Sequence, residues 1–152
     1  MIIKIDTREQ YPWDFTFYGG QTKRIKVDTG DYTIDGLENM ISIERKRNTG
    51  EIALNLGKKW KQFQAELDRM IEIKYKYIVC EFNSTAIINF PFDSGIPKRD
   101  WPYLRMNGPF IQKKLFSEAA KRGIEILFFD SAQQAEKEVY DILSGIYARH
   151  VK

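Results

Sequence analysis

Two stretches constrain this chain more than any others: Tyr77–Phe82 and Ile124–Phe129 are nearly unbroken apolar runs of strand length. A strand wetted on one face alternates apolar and polar residues, so a strand without alternation has to be covered on both faces. Ahead of the first run, Leu56, Trp60, Phe63, Leu67, Met70 and Ile71 keep a helical period, with Gly57 breaking off a shorter helical piece. Between the runs, Ile111, Leu115, Phe116 and Ala119 give another helix, ended by Gly123. A last helix opens at Ser131-Ala-Gln-Gln134, a capping-box pattern, and buries Ala135, Val139, Ile142, Leu143 and Ile146. The first third is strand-rich instead: Ile2–Asp6, Arg24–Val27, Asp31–Asp35 and Met40–Lys46. This order predicts an α/β fold with a mixed central β-sheet flanked by helices. At 152 residues the chain has enough material for one sizeable core, so residues 1–152 are expected to form one domain.

Scarce residues exclude much chemistry. There is one Cys, Cys80, and one His, His150. Cys80 lies in an apolar strand as a small buried residue, and His150, third from the end, is expected to fray. Disulfide frameworks, Cys/His zinc sites and Cys–His nucleophile pairs are therefore removed. Gly50–Lys58 is no phosphate loop, because six residues separate Gly50 from Gly57 and Lys59 stands where Ser or Thr is needed. No nucleotide cofactor is expected. The N-terminus turns charged too early for a signal peptide, and no apolar run is long enough to span a membrane. The chain reads as soluble, intracellular and cytoplasmic.

What remains is carboxylate, Lys and Arg chemistry, and the basic residues are not spread evenly. Ile43–Lys61 holds six basic residues and two acids, while the rest of the chain holds 18 and 19. The whole positive excess lies in that stretch, as expected of a contact with a phosphate backbone or of a solvated helix face. Lys58, Lys59 and Lys61 begin a helix, where the dipole disfavours cations, and this leans toward a phosphate-facing role. Trp60, Phe63 and Leu67 read as core. Trp13, Phe15, Phe17 and Tyr18 form an aromatic loop expected to pack under the sheet, with stacking on single-stranded bases as the alternative. Four of the five prolines fall between Pro91 and Pro109, a long excursion of the kind that is often functional.

The informative constellation is Gly30-Asp31 with Glu44-Arg45-Lys46. If Asp31–Asp35 and Met40–Glu44 form a hairpin, apolar matching prefers Ile34 opposite Ile41 and Tyr32 opposite Ile43 over a tighter turn at Asp35-Gly36. Asp31 then faces Glu44, with Cβ atoms roughly 4.5–5.5 Å apart. Lys46 points to the same face and Arg45 to the other. Two carboxylates and a lysine suit metal-assisted phosphodiester hydrolysis. The acids would hold a hard cation and the lysine would orient the attacking water. A polar solvent face on a hairpin is the alternative on spacing alone.

Asp31 with Glu44-Arg45-Lys46 fits the PD-(D/E)xK pattern, and the chain resembles the XPF/Hef branch of the restriction-endonuclease-like nucleases. The resemblance rests on Asp6-Thr7-Arg8-Glu9, Gly30-Asp31-Tyr32, Glu44-Arg45-Lys46, Gly57-Lys58-Lys59-Trp60-Lys61-Gln62 and the strand Tyr77–Glu81. It covers Ile2 to about Phe82 by motif and the rest by element order. It implies a restriction-endonuclease-like core and a Mg2+- or Mn2+-dependent DNA endonuclease acting at branches, flaps or forks, in repair or recombination. Asp31 and Glu44 would bind the metal with the backbone carbonyl of Arg45, Lys46 would assist the water, and Asp6 and Glu9 would complete the acidic site. Arg8 would face DNA or the acidic cluster, Arg47, Lys58, Lys59, Lys61 and Gln62 would contact DNA, and a homodimer is compatible with this reading.

Two departures stand out. The family usually has an Asp four residues after the lysine, where this chain has Gly50 followed by Glu51. The chain is also expected to lack the family's helix-hairpin-helix and helicase domains. A stand-alone form suits a virus or mobile element, in which case the host cytoplasm is its location. Two rivals follow: a nuclease-fold protein that binds branched DNA or a partner nuclease without cutting, and a resolvase-like enzyme sharing only the broader pattern. Intact Asp31, Glu44 and Lys46 argue against the first, and the Asp6–Glu9 and Gly57–Gln62 motifs against the second.

Overall fold

The computed structural model describes residues 1–151. Its six strands are β1 (Ile2–Ile5), β2 (Gln21–Arg24), β3 (Tyr32–Ile34), β4 (Ile41–Lys46), β5 (Tyr75–Cys80) and β6 (Glu125–Phe128). They form one sheet in the order β2-β1-β3-β4-β5-β6. β3 is antiparallel to both β1 and β4, while β1–β2, β4–β5 and β5–β6 are parallel, so the sheet is mixed as expected. The helices are α1 (Thr49–Leu56), α2 (Trp60–Arg69), α3 (Thr85–Ile88), α4 (Gly108–Lys121) and α5 (Ala132–His150).

The two faces of the sheet have separate cores. On one, Ile3, Ile5, Tyr32, Ile34 and Ile43 meet Ala135, Val139, Leu143 and Ile146 of α5. On the other, Ile78 and Cys80 meet Ile52 and Leu56 of α1, Phe63 and Leu67 of α2, and Ile111 and Leu115 of α4. Each helix lands because its apolar period of about 3.6 gives it one buried stripe. Asn48, Asn107 and Ser131 start α1, α4 and α5 by accepting the backbone N–H of Glu51, Phe110 and Gln134. Gly57 separates α1 from α2, and Lys114 of α4 donates to the Leu56 carbonyl at 3.0 Å, serving a C-terminal group that the helix leaves open.

Several expectations shift. β2 runs over Gln21–Arg24 rather than Arg24–Val27, because it pairs in register with Ile2–Ile5. β5 starts at Tyr75, whose N–H bonds the Met40 carbonyl, and ends at Cys80. Ile142 is only half-buried, since α5 turns it to the edge of its stripe. His150 does not fray. It closes α5, and its Nε2 lies 3.1 Å from the Tyr75 hydroxyl. Residues 91–107 include a 3-10 turn, Lys98–Tyr103, and lie over the N-terminal end of α1. Of the loop aromatics, Trp13 and Phe15 are buried as expected, but Phe17 is exposed. Among the described residues no helix is long and apolar enough to cross a membrane.

Candidate active site

The hairpin register places the site. Tyr32 pairs with Ile43, as apolar matching requires, and the Asp31 N–H donates to the Ile43 carbonyl at 2.7 Å. Gly30 makes this approach possible. Its φ is +82°, and a Cβ there would lie 2.3 Å from Ser42 Oγ and 2.9 Å from the Ile43 carbonyl oxygen. The Asp31 carboxylate then accepts the Arg45 N–H at 2.8 Å, fixed beside the strand that carries Glu44.

β4 is buried at all six positions, which disposes of the solvent-face alternative. Glu44 is 4% exposed and Lys46 7%. Charges so enclosed are costly unless paired, and here Lys46 Nζ lies 3.3 Å from Glu44 Oε2 and 4.8 Å from the centre of the Phe63 ring. Burial pushes the Asp31 carboxyl well above the ordinary range, and the Glu44 charge adds to this. Burial also raises Glu44, against the pull of Lys46. Burial opposes the charge on Lys46, but Glu44, Asp31, Glu51 and Glu66 together outweigh it and hold the ammonium protonated.

Asp6, fully buried, extends the same face from β1, its N–H donating to the Asp31 carbonyl at 2.9 Å. Its carboxylate accepts the Val27 N–H at 2.9 Å and Arg8 Nε at 2.6 Å. Burial raises its pKa, but these donors outweigh burial and hold it below the usual range. An open cleft of about 550 Å³ lies against Asp6, with Arg8, Lys26 and Arg69 on its walls.

Glu9 makes its hydrogen bonds on the other face of β4, while its charge still acts on Asp31 and Glu44. It sits with Arg45 behind the sheet, accepting Arg45 Nη1 at 3.1 Å and the Tyr32 hydroxyl at 2.8 Å. Arg45 points away from Glu44 as alternation requires. It reaches Glu81 at 3.0 Å and lies 4.5 Å from the centre of the Trp13 ring. This network braces the strand from its far side. Of the expected DNA contacts, Lys58, Lys59, Lys61 and Gln62 are all exposed around the start of α2, whose first turn has no acid. Arg47 is also exposed but pairs with Glu51 at 2.9 Å.

Sequence reasoning missed Glu66, whose charge acts on Arg8, Glu44 and Lys46. The available signal was its place in the apolar stripe of α2, three residues after Phe63 and one before Leu67. Lys26 and Arg69 left no such signal, since the cleft that joins them is non-local. Gly50 has a local reason. Its N–H donates to the Ser94 carbonyl, and a Cβ there would lie 2.3 Å from that oxygen. The 91–107 excursion occupies the space that a side chain would need.

Asp31 and Glu44 are suited to a hard divalent cation. They are enclosed carboxylates whose repulsion a cation relieves, and Mg2+ accepts one or two carboxylates while keeping several waters. Among the described residues no three Asp, Glu, His or Cys side chains converge as a metal-holding group. A cation here would therefore use these two acids with backbone carbonyl and water oxygens.

No protein-family model and no curated protein matches the chain. Solved structures do. The chain is similar to XPF from Aeropyrum pernix, with a TM-score of 0.65 at 16% identity, over 99% of this chain and 67% of that one. It is also similar to XPF from Aeropyrum pernix in a complex with DNA, with a TM-score of 0.66 at 13% identity and the same coverage. The mixed six-stranded sheet with its flanking helices is thus an XPF-type nuclease-like fold.

Proposed function

We propose that this protein is a divalent-metal-dependent DNA endonuclease, cutting phosphodiester bonds at branched, flap or fork structures. The observation that carries the reading is the enclosure of Glu44 and Lys46 on one face of the wholly buried β4, with the Asp31 carboxylate held against that strand by the Arg45 N–H. A structural role alone gives no reason to keep two carboxylates opposed in a central hairpin, where apolar residues would pack without electrostatic cost. The similar XPF structure whose title names a complex with DNA supports DNA as the partner.

Asp31, Glu44 and the Arg45 carbonyl would hold Mg2+ or Mn2+, which when bound supplies charge for the phosphate and acidifies water. The chain's own residues do the rest. Lys46, fixed between Glu44 and Phe63, orients the attacking water toward the phosphorus. Asp6 aims Arg8 along the cleft, where Arg8, Lys26 and Arg69 receive the strand's phosphates. Lys58, Lys59, Lys61 and Gln62 take further phosphates of the DNA beyond the cleft. Glu9 holds Arg45 behind the sheet and adds its charge to that of Asp31 and Glu44. One domain carries all of this, and a cytoplasmic location gives it access to DNA.

The test is to incubate the protein with duplex, flap, fork and single-stranded DNA in magnesium, manganese or chelator, and to map the products. Metal-dependent cuts near junctions are expected. Binding to branched DNA with no cut under either metal would convert the reading to a non-catalytic nuclease-fold protein.

A further inference from the structure

A second cavity, of about 770 Å³, lies between α1 and the 91–107 excursion, in the range of ligand sites. Its interior is apolar, built from Ala53, Leu54, Phe90, Ile96, Leu104 and Met106, and its rim carries Lys58, Arg105 and Tyr103. Tyr103 is 81% exposed and Leu54 43%, so apolar surface is open to solvent at its mouth. None of the described residues lining it is acidic. The groove adjoins the candidate active site in the chain: Gly50 on its wall follows Lys46 by four residues, and Gly95 of the excursion lies against Asn48. Its mouth includes Lys58, which belongs to the stretch holding the chain's entire positive excess.

We propose that this groove binds an unpaired segment of DNA, its bases entering the apolar interior and stacking on Tyr103 while Lys58 and Arg105 meet the flanking phosphates. Flat apolar bodies joined by anionic links are what an apolar slot with a cationic, acid-free rim matches, and aromatic stacking on a basic track is how single strands are held without sequence preference. This rests on the nuclease reading and deepens it. The groove would take the single-stranded arm of a junction whose duplex lies along the cleft at Arg8, and so would set which branched structures are accepted. It also gives Gly50 a purpose, because the excursion that excludes a side chain there is the groove's outer wall.

The test is binding of a fluorescent oligothymidylate and of a blunt duplex in EDTA, where cutting plays no part. Tyr103→Ala should weaken single-strand binding about tenfold, with blunt-duplex affinity and melting temperature unchanged. Tyr103→Phe, which keeps the ring, should bind like the parent. Leu54→Asp, which places an anion at the mouth, should weaken single-strand binding further. Equal losses on both DNAs, or no loss on either, would overturn the proposal. So would self-association, or capture of an acidic apolar peptide, that Tyr103→Ala abolishes while single-strand binding stays intact. Single-strand binding that follows Tyr103 in a protein that never cuts under Mg2+ or Mn2+ keeps the groove and removes the nuclease reading. Metal-dependent cutting with single-strand binding indifferent to Tyr103 does the reverse.

Discussion

Lys46 and Glu44 touch, yet replacing them should have opposite consequences. Lys46→Ala removes a positioning charge and no oxygen ligand, so metal and DNA should still bind while cleavage falls by orders of magnitude. Glu44→Gln should abolish metal response and cleavage together, and the lost negative charge should favour metal-free DNA binding. Both are read on one branched substrate, by affinity and by cleavage rate; a Lys46→Ala protein that cuts like the parent would falsify the mechanism. Asp31 bears on stability. Its folded pKa is raised by burial and by Glu44, and that of Glu44 is raised by burial, so the native state holds protons that the unfolded chain has released. Metal-free stability should therefore fall as pH rises from the ordinary carboxylate range through the raised folded values. Asp31→Asn should flatten that fall and raise the metal-free melting temperature above the parent's at neutral pH. Saturating magnesium should raise the parent's melting temperature and leave the mutant's unchanged.

The start of α2 works through several residues at once. Its first turn has no acid, and Lys58, Lys59 and Lys61 stand where the helix dipole favours anions, so their charge is free for phosphates. Replacing all three by Ala should weaken DNA binding across sequences and lower the salt slope by roughly one per lost phosphate contact. An unchanged slope in a salt titration would return this turn to ordinary solvated surface. Arg47 should contribute less, because Glu51 already holds its guanidinium. Elements of this kind were legible in the sequence for a physical reason: helix stripes, caps and the hairpin register follow from neighbours within a few residues. Tyr32 opposite Ile43 needed only apolar matching, and α4 needed only its period. The edge strand β2 was misplaced because its ends are set by β1, not by its own polar residues.

At the scale of the molecule, the sheet separates two tasks that sequence spacing could not separate. Alternation in β4 showed that Glu44 and Lys46 oppose Arg45, but not that both faces would be closed. That closure comes from α2 and α5, whose packing on the sheet is not encoded in the spacing along β4. Through that packing the charge of Glu66 reaches Glu44 and Lys46, and Glu9 reaches Arg45. The partition predicts how core damage propagates. Leu143 of α5 is fully buried on the Arg45 face, and Leu143→Ala should cost about 2–5 kcal/mol. With no contact to Lys46 or its carboxylates, that loss should leave the magnesium-induced gain in melting temperature and the cleavage rate below melting near parental values. Phe63 lies on the other face under the Lys46 ammonium. Phe63→Leu keeps an apolar residue and should cost about 1–2 kcal/mol, less than Leu143→Ala, because little volume is lost. Its cleavage rate should nevertheless fall well below that of Leu143→Ala, since Lys46 loses the ring that holds it against Glu44. Thermal unfolding with and without magnesium, paired with cleavage rates for the two variants, reads both effects. If activity simply followed stability, so that Leu143→Ala were the slower enzyme, the two faces would not be independent and Phe63 would be core alone.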